Sequence, residues 1–147
     1  MAHVRTQIRD RLMTILAGLT TTGDRVYWSR VHPMTVGTMP GICVYCGKEE
    51  AVGGTLTATE KAVDIVVDAY VSGSDYDYDA AQIQVEVEAA LYADFTNGRY
   101  FNGIVTNLAY SMAESEYFGD AAVVHGMLRM IYKATYKTED GDAEIAT

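Results

Sequence analysis

Cysteine, proline and basic side chains are all scarce in this chain of 147 residues. It has 2 cysteines and 2 prolines. Two cysteines cannot build a disulfide framework, and a domain of this length buries about 70% of its unfolded surface without one. Long apolar runs are missing too, since nothing approaches the roughly 18 residues that span a bilayer. Residues 1–19 carry Arg5, Arg9 and Arg11 among apolar positions. No export leader is therefore expected, and a reducing cytoplasm is the expected place of synthesis. Lys and Arg number 11 against 20 Asp and Glu, for a net charge of −9. That balance argues against a sequence-independent nucleic-acid clamp, whose affinity comes from basic groups releasing phosphate counterions. DNA passing nearby without sticking remains compatible with it. The glycines fall into none of the patterns G-x-x-x-x-G-K, G-x-G-x-x-G or G-x-S-x-G. They punctuate turns.

What is present is an ordinary globular balance, with 49% hydrophobic residues. The length suits one domain, expected over residues 1–138, followed by an acidic frayed tail over 139–147. Val4, Ile8, Leu12, Ile15, Leu16 and Leu19 recur at three- and four-residue steps, which predicts a helix over 4–19. A short strand is expected over Arg25–Val31, then a surface loop from His32 to Pro40. Gly41–Cys46 is a continuous apolar run that reads as a strand covered on both faces. Lys48–Leu56 has loop composition, with Gly53-Gly54 as the expected hairpin tip. From Thr57 to Val71 the period is two: Val63, Ile65, Val67, Ala69 and Val71 point one way, Glu60, Asp64 and Asp68 the other. A second helix is expected over 75–95, opened by Asp75, Asp77 and Asp79 and buried along Ala80, Ile83, Val87, Ala90 and Leu91. Asn97-Gly98 ends it. Two further strands follow, over Ile104–Glu116 and Val123–Thr138. In the last, Leu128, Met130, Tyr132, Ala134 and Tyr136 alternate with His125, Arg129, Lys133 and Lys137. The order predicts an α+β fold: a single mostly antiparallel sheet packed by two helices.

Cys43 and Cys46 form a C-x-x-C, a spacing shared with metal knuckles and redox pairs. In a strand, residues three apart face opposite ways and lie roughly 10 Å apart. They then cannot share a zinc ion at about 2.3 Å per Zn–S bond. A disulfide, which needs Cα atoms within about 7 Å, is excluded as well. A pair of structural thiols is expected, with no metal and no cofactor. Asp64 and Asp68 are roughly 13 Å apart on a strand, too far for a paired-carboxylate mechanism. The sequence places no serine or cysteine near His125 to make it a base.

Two rows stand out. Glu60, Asp64 and Asp68 share their four-residue pitch with Arg129, Lys133 and Lys137, of opposite sign. If their strands are neighbours, the rows pair across the sheet. If they lie on different edges, they meet between subunits, where self-complementary surfaces build rings or filaments. The third reading is two unrelated solvated faces.

Taken together, several features give the chain a family likeness. Arg5-x-x-Ile8-x-x-x-Leu12 opens it, followed by the Thr22-Gly23 turn and a loop ending at Pro40. The strand Pro40-Gly41-Ile42-Cys43-Val44-Tyr45 comes next, then a long strand ending at Ala69-Tyr70-Val71, the acidic helix start, and a final strand finishing Tyr132-Lys133-Ala134-Thr135-Tyr136. In this order and spacing, over residues 4–138, the chain resembles the tail terminator family of long-tailed bacteriophages. The resemblance implies a ring-forming subunit of the virion with no reaction to catalyse. Six copies would cap the head-proximal end of the tail tube, end its polymerisation and present the neck surface on which the head docks. The implied partners are further copies of the chain, the major tail tube protein and head–tail connector proteins, with DNA passing through the ring and no membrane involved. Candidate subunit-interface residues are Glu60, Asp64, Asp68, Arg129, Lys133 and Lys137. Candidate tube- or neck-contact residues are Arg30, His32, Met34, Lys48, Glu49 and Glu50. A head–tail connector and a small carboxylate-dependent hydrolase are the competing readings.

Overall fold

The computed structural model describes residues 2–28, 39–119 and 124–147. Helix α1 spans Val4–Leu16 and buries Val4, Ile8, Leu12 and Leu16, one residue per turn. His3 caps it, its Nδ1 accepting the Arg5 amide at 3.0 Å. The helix stops three residues before the expected Leu19. Ala17 turns extended, Gly18 takes φ +83°, and the Gly23 amide closes a turn by donating to the Leu19 carbonyl. A positive φ suits glycine because it has no Cβ to clash.

Strand β1, Val26–Trp28, runs parallel to the start of β2, Gly41–Gly54. Strand β3, Ala58–Ser72, returns antiparallel along nearly all of β2. The expected Lys48–Leu56 loop is therefore strand as far as Gly54. Its charged and glycine-rich composition reads as loop, but β3 supplies pairing partners out to Thr59 opposite Gly54, and two register shifts absorb the irregular residues. Gly54 itself is required: φ is +156° and a Cβ there would lie 2.6 Å from the Ala58 carbonyl oxygen.

Helix α2, Tyr76–Ala93, buries Ala80, Ile83, Val87 and Leu91, with Asp77 and Asp79 in its first turn. Next comes a small two-stranded sheet that the sequence reading missed: β4, Phe95–Thr96, and β5, Arg99–Tyr100. Asn97 and Gly98 link them with φ of +54° and +79°, the backbone an Asn-Gly hairpin turn demands. Strands β6, Asn107–Gly119, and β7, Val124–Glu139, complete the main sheet in the order β1-β2-β3-β7-β6. Among the described residues only the β1–β2 pair is parallel. The fold is α+β, as expected.

Both helices lie on one face of the main sheet. Val63, Ile65, Val67, Ala69 and Val71 from β3 meet Leu128, Met130, Tyr132, Ala134 and Tyr136 from β7 beneath them. Arg11 holds the end of α2 through Asp94 at 3.0 and 2.7 Å, and the Thr21 amide and hydroxyl bind Glu86. An unbroken period of two would put Ile104, Leu108, Tyr110 and Met112 on one face, as the sequence predicts. A bulge in β6 between Tyr110 and Met112 reverses the alternation: Leu108 keeps the core face, and beyond the bulge Ala113 takes that face and Met112 the other. Residues after 139, expected to fray, fold back on the sheet. Ala143 accepts the Val4 amide at 3.0 Å, Ala146 bridges to Thr138, and the Thr147 amide donates to Lys137 at 2.7 Å.

Candidate functional surface

The face of the sheet turned away from the helices carries both charge rows. The β3–β7 register sets Glu60 opposite Lys137, Asp64 opposite Lys133 and Asp68 opposite Arg129. A four-residue pitch keeps side chains on one face of a strand, and antiparallel pairing preserves it, so each acid meets one base. Of the three arrangements open from sequence, the structure has the first. The six candidate interface residues are cross-strand register partners within the subunit, and Asp68–Arg129 and Asp64–Lys133 form ion pairs there.

The ladder is graded. At one end Asp68 is fully buried, 0% exposed, and is bound on both oxygens. Arg129 donates Nε to Oδ1 at 3.0 Å and Nη2 to Oδ2 at 3.3 Å, and the Tyr45 hydroxyl donates to Oδ2 at 3.1 Å. This bond raises the Arg129 pKa above its ordinary value, against the opposing effect of burial. In the middle Lys133 spans Asp64 at 3.3 Å and Glu50 at 3.6 Å, and Lys48 reaches Glu50 at 3.5 Å. Hydrogen bonding to Asp64 raises the Lys133 pKa. At the far end Glu60 and Lys137 are register partners with no ion pair between them among the described residues.

Arg30, His32 and Met34 lie outside the described residues. Lys48, Glu49 and Glu50 belong to β2, and they do not share a surface. Glu50 faces the ladder, whereas the Tyr136 hydroxyl donates to Glu49 on the helix side. Burial and this bond push the Tyr136 pKa up. The true hairpin tip is Thr55–Thr57, where Leu56 is 98% exposed.

Cys43 and Cys46 form no disulfide and sit on opposite faces, Cys43 across from Asp68 and Cys46 across from Ile65. Burial pushes each thiol up to about 11. The C-x-x-C is strand composition. The register also places Ser72 directly across from His125, a neighbour that sequence spacing could not reveal.

Sequence reasoning missed the aromatic groups. Arg9 lies 4.9 Å over the Trp28 ring, which is 54% exposed. Tyr92, Phe95, Tyr100, Tyr110 and Tyr132 form a chain of ring contacts where α2, the small sheet and β6 converge, with neighbouring centroids 4.8–6.4 Å apart. Tyr92 falls off the buried stripe of α2, which was the only signal.

No family model matches the chain, and no curated protein matches it. Among solved structures it is similar to a chain in the virion of a native gene transfer agent particle. The two share 19% sequence identity, the alignment covers 92% of each chain, and the TM-score is 0.54. At that identity the likeness concerns the fold.

Proposed function

We propose that this chain is a structural virion protein of the tail terminator kind, a ring-forming subunit that caps the head-proximal end of a tail tube. The carrying observation is the shared fold with a chain of a gene transfer agent virion, which spans 92% of both chains. The ladder is consistent with it. Asp64 and Asp68, the residues a carboxylate hydrolase would need, are each committed to a cation. Carboxylates spent in this way hold strands in register. In this reading six copies close a ring, stop tube growth and offer the neck surface to the head, and the virion is where the protein works.

Native mass spectrometry and mass photometry with tail tube protein present test the proposal. The expected outcome is a six-copy species bound to tube ends, with tubes of fixed length. Chains that stay monomeric and leave tube growth unaltered overturn it. Binding to portal or adaptor rings in preference to tubes favours the connector reading instead.

A further inference from the structure

The main sheet ends in two edges of different character. Over its whole length β6 pairs with β7 alone, so one row of its backbone N–H and C=O groups has no strand partner among the described residues. Folded proteins blunt such edges with lysine, proline, bulges or charge. In β6, NLAYSMAESEYFG, there is no lysine and no proline; the bulge after Tyr110, the Tyr92 bond to the Tyr110 backbone and the exposed Glu114 and Glu116 guard it. On the opposite side, β1 covers only Ile42–Val44 of β2. From Cys46 to Gly54, β2 pairs with β3 alone among the described residues.

Their directions fit each other. β2, β3, β7 and β6 alternate in direction, so β6 runs opposite to β2. If β6 of one copy is laid beside β2 of the next with the faces matched, the junction is antiparallel and the sheet's own alternation continues. The flanking charges fit as well, because Glu49 and Glu50 of this half are held by the Tyr136 hydroxyl and by Lys133. Beside the free half of β2 stand Arg5, whose carbonyl contacts the Cys46 thiol, Arg9 over Trp28, and Lys48 with a side chain 71% exposed. Their local partners are weak: Arg9 has the adjacent Asp10, and Lys48 has Glu50 at 3.5 Å. Beside β6 stand Glu114, Glu116 and, on the helix side, Glu88, one turn from the Tyr92 that bonds the Tyr110 backbone. Pairing β6 with itself about a two-fold axis centred on 112–116 would instead set these acids against each other, and like charges directly opposite are destabilising.

We infer that β6 adds, strand to strand, to the Cys46–Gly54 half of β2 in a second copy of this chain, so that the sheet runs on from subunit to subunit. The contact is head-to-tail, and such contacts close into rings when the rotation permits. Main-chain hydrogen bonds supply the adhesion, and the Arg5/Arg9 and Glu88 flanks select the partner edge. The inference rests on the ring-forming reading above and names the surfaces that would build the ring.

Cysteine cross-linking tests it. In a Cys46→Ser background, Ala51→Cys is combined in one chain with a cysteine scanned over Met112→Cys, Ala113→Cys, Glu114→Cys and Ser115→Cys. The chains are oxidised with and without tail tube protein and run on non-reducing gels, and circular dichroism confirms that each variant is folded. At the matching register the double variant forms a covalent ladder, while each single variant stays monomeric. Arg5→Glu with Arg9→Glu abolishes the ladder, and adding Glu88→Lys restores it. Covalent dimers from a β6 cysteine alone mean two-fold pairing and overturn the inference, as does a scan that yields no cross-link. Tube capping by the unaltered chain is scored separately. A ladder without capping supports the edge contact and overturns the terminator reading; capping without a ladder does the reverse.

Discussion

The two faces of the main sheet solve the same problem by different physics. Under the helices, β3 and β7 meet through aliphatic and aromatic side chains. On the other face they meet through a row of opposite charges. Adhesion on the first face is non-directional and scales with the apolar area removed from water. The ladder contributes little adhesion, because exposed pairs are worth at most about 1 kcal/mol, but it discriminates between registers. A slip of two residues would leave the apolar face apolar while breaking every acid–base match. The covered face therefore supplies stability, and the ladder supplies alignment.

The largest break in that contrast is expected where the ladder goes underground. Arg129→Ala leaves Asp68 with Tyr45 as its remaining side-chain donor among the described residues. Removing one partner of a buried pair costs about 3–5 kcal/mol, read as a lowered denaturant midpoint. Replacing Asp68 and Arg129 together with apolar residues should cost far less. If the single and double replacements are equally damaging, the site works by packing. On the covered face Ile65→Ala should cost about 2–5 kcal/mol through lost burial and a residual cavity, and this cost should be insensitive to salt.

The thiols come next. Each has a folded pKa near 11 against 9.0 in the reference state. A raised pKa means that the folded state prefers the proton. This contribution is complete below about pH 9 and disappears as pH climbs from about 9 toward 11. Melting temperature should fall across that window, and Cys43→Ala with Cys46→Ala should flatten the fall. Alkylation of the native protein at pH 8 should be slower than that of the unfolded chain. The smallest effect belongs to Lys133→Ala in the middle of the ladder, where the cation is solvated: a melting shift well below that of Arg129→Ala and shrinking further in salt.

Legibility in the sequence followed the same division. Periods of two and 3.6 are local, and they located both helices, the strand faces and the isolation of Cys43 from Cys46. The equal pitch of the two charge rows was visible as well, because a four-residue spacing survives in any strand. What stayed hidden depended on partners. Lys48–Gly54 reads as loop until β3 lies beside it, and the bulge that moves Met112 across the sheet leaves no mark in composition. The Asn97-Gly98 hairpin was legible as a turn, but strands of two residues are too short to show a period. Pairing of the rows within one subunit, and the meeting of Ser72 with His125, needed the register itself.

The bonds from Arg11 to Asp94 and from Thr21 to Glu86 tie α1 and the turn after it to α2 at two separated points. The pair should then behave as one plate, and amides in α1 and α2 should exchange with solvent together, as a single cooperative unit. Any adjustment the molecule makes on meeting a neighbour is left to the strand edges and the hairpin tip. In the ring proposed above, the scaffold would keep its shape while the rim adapts.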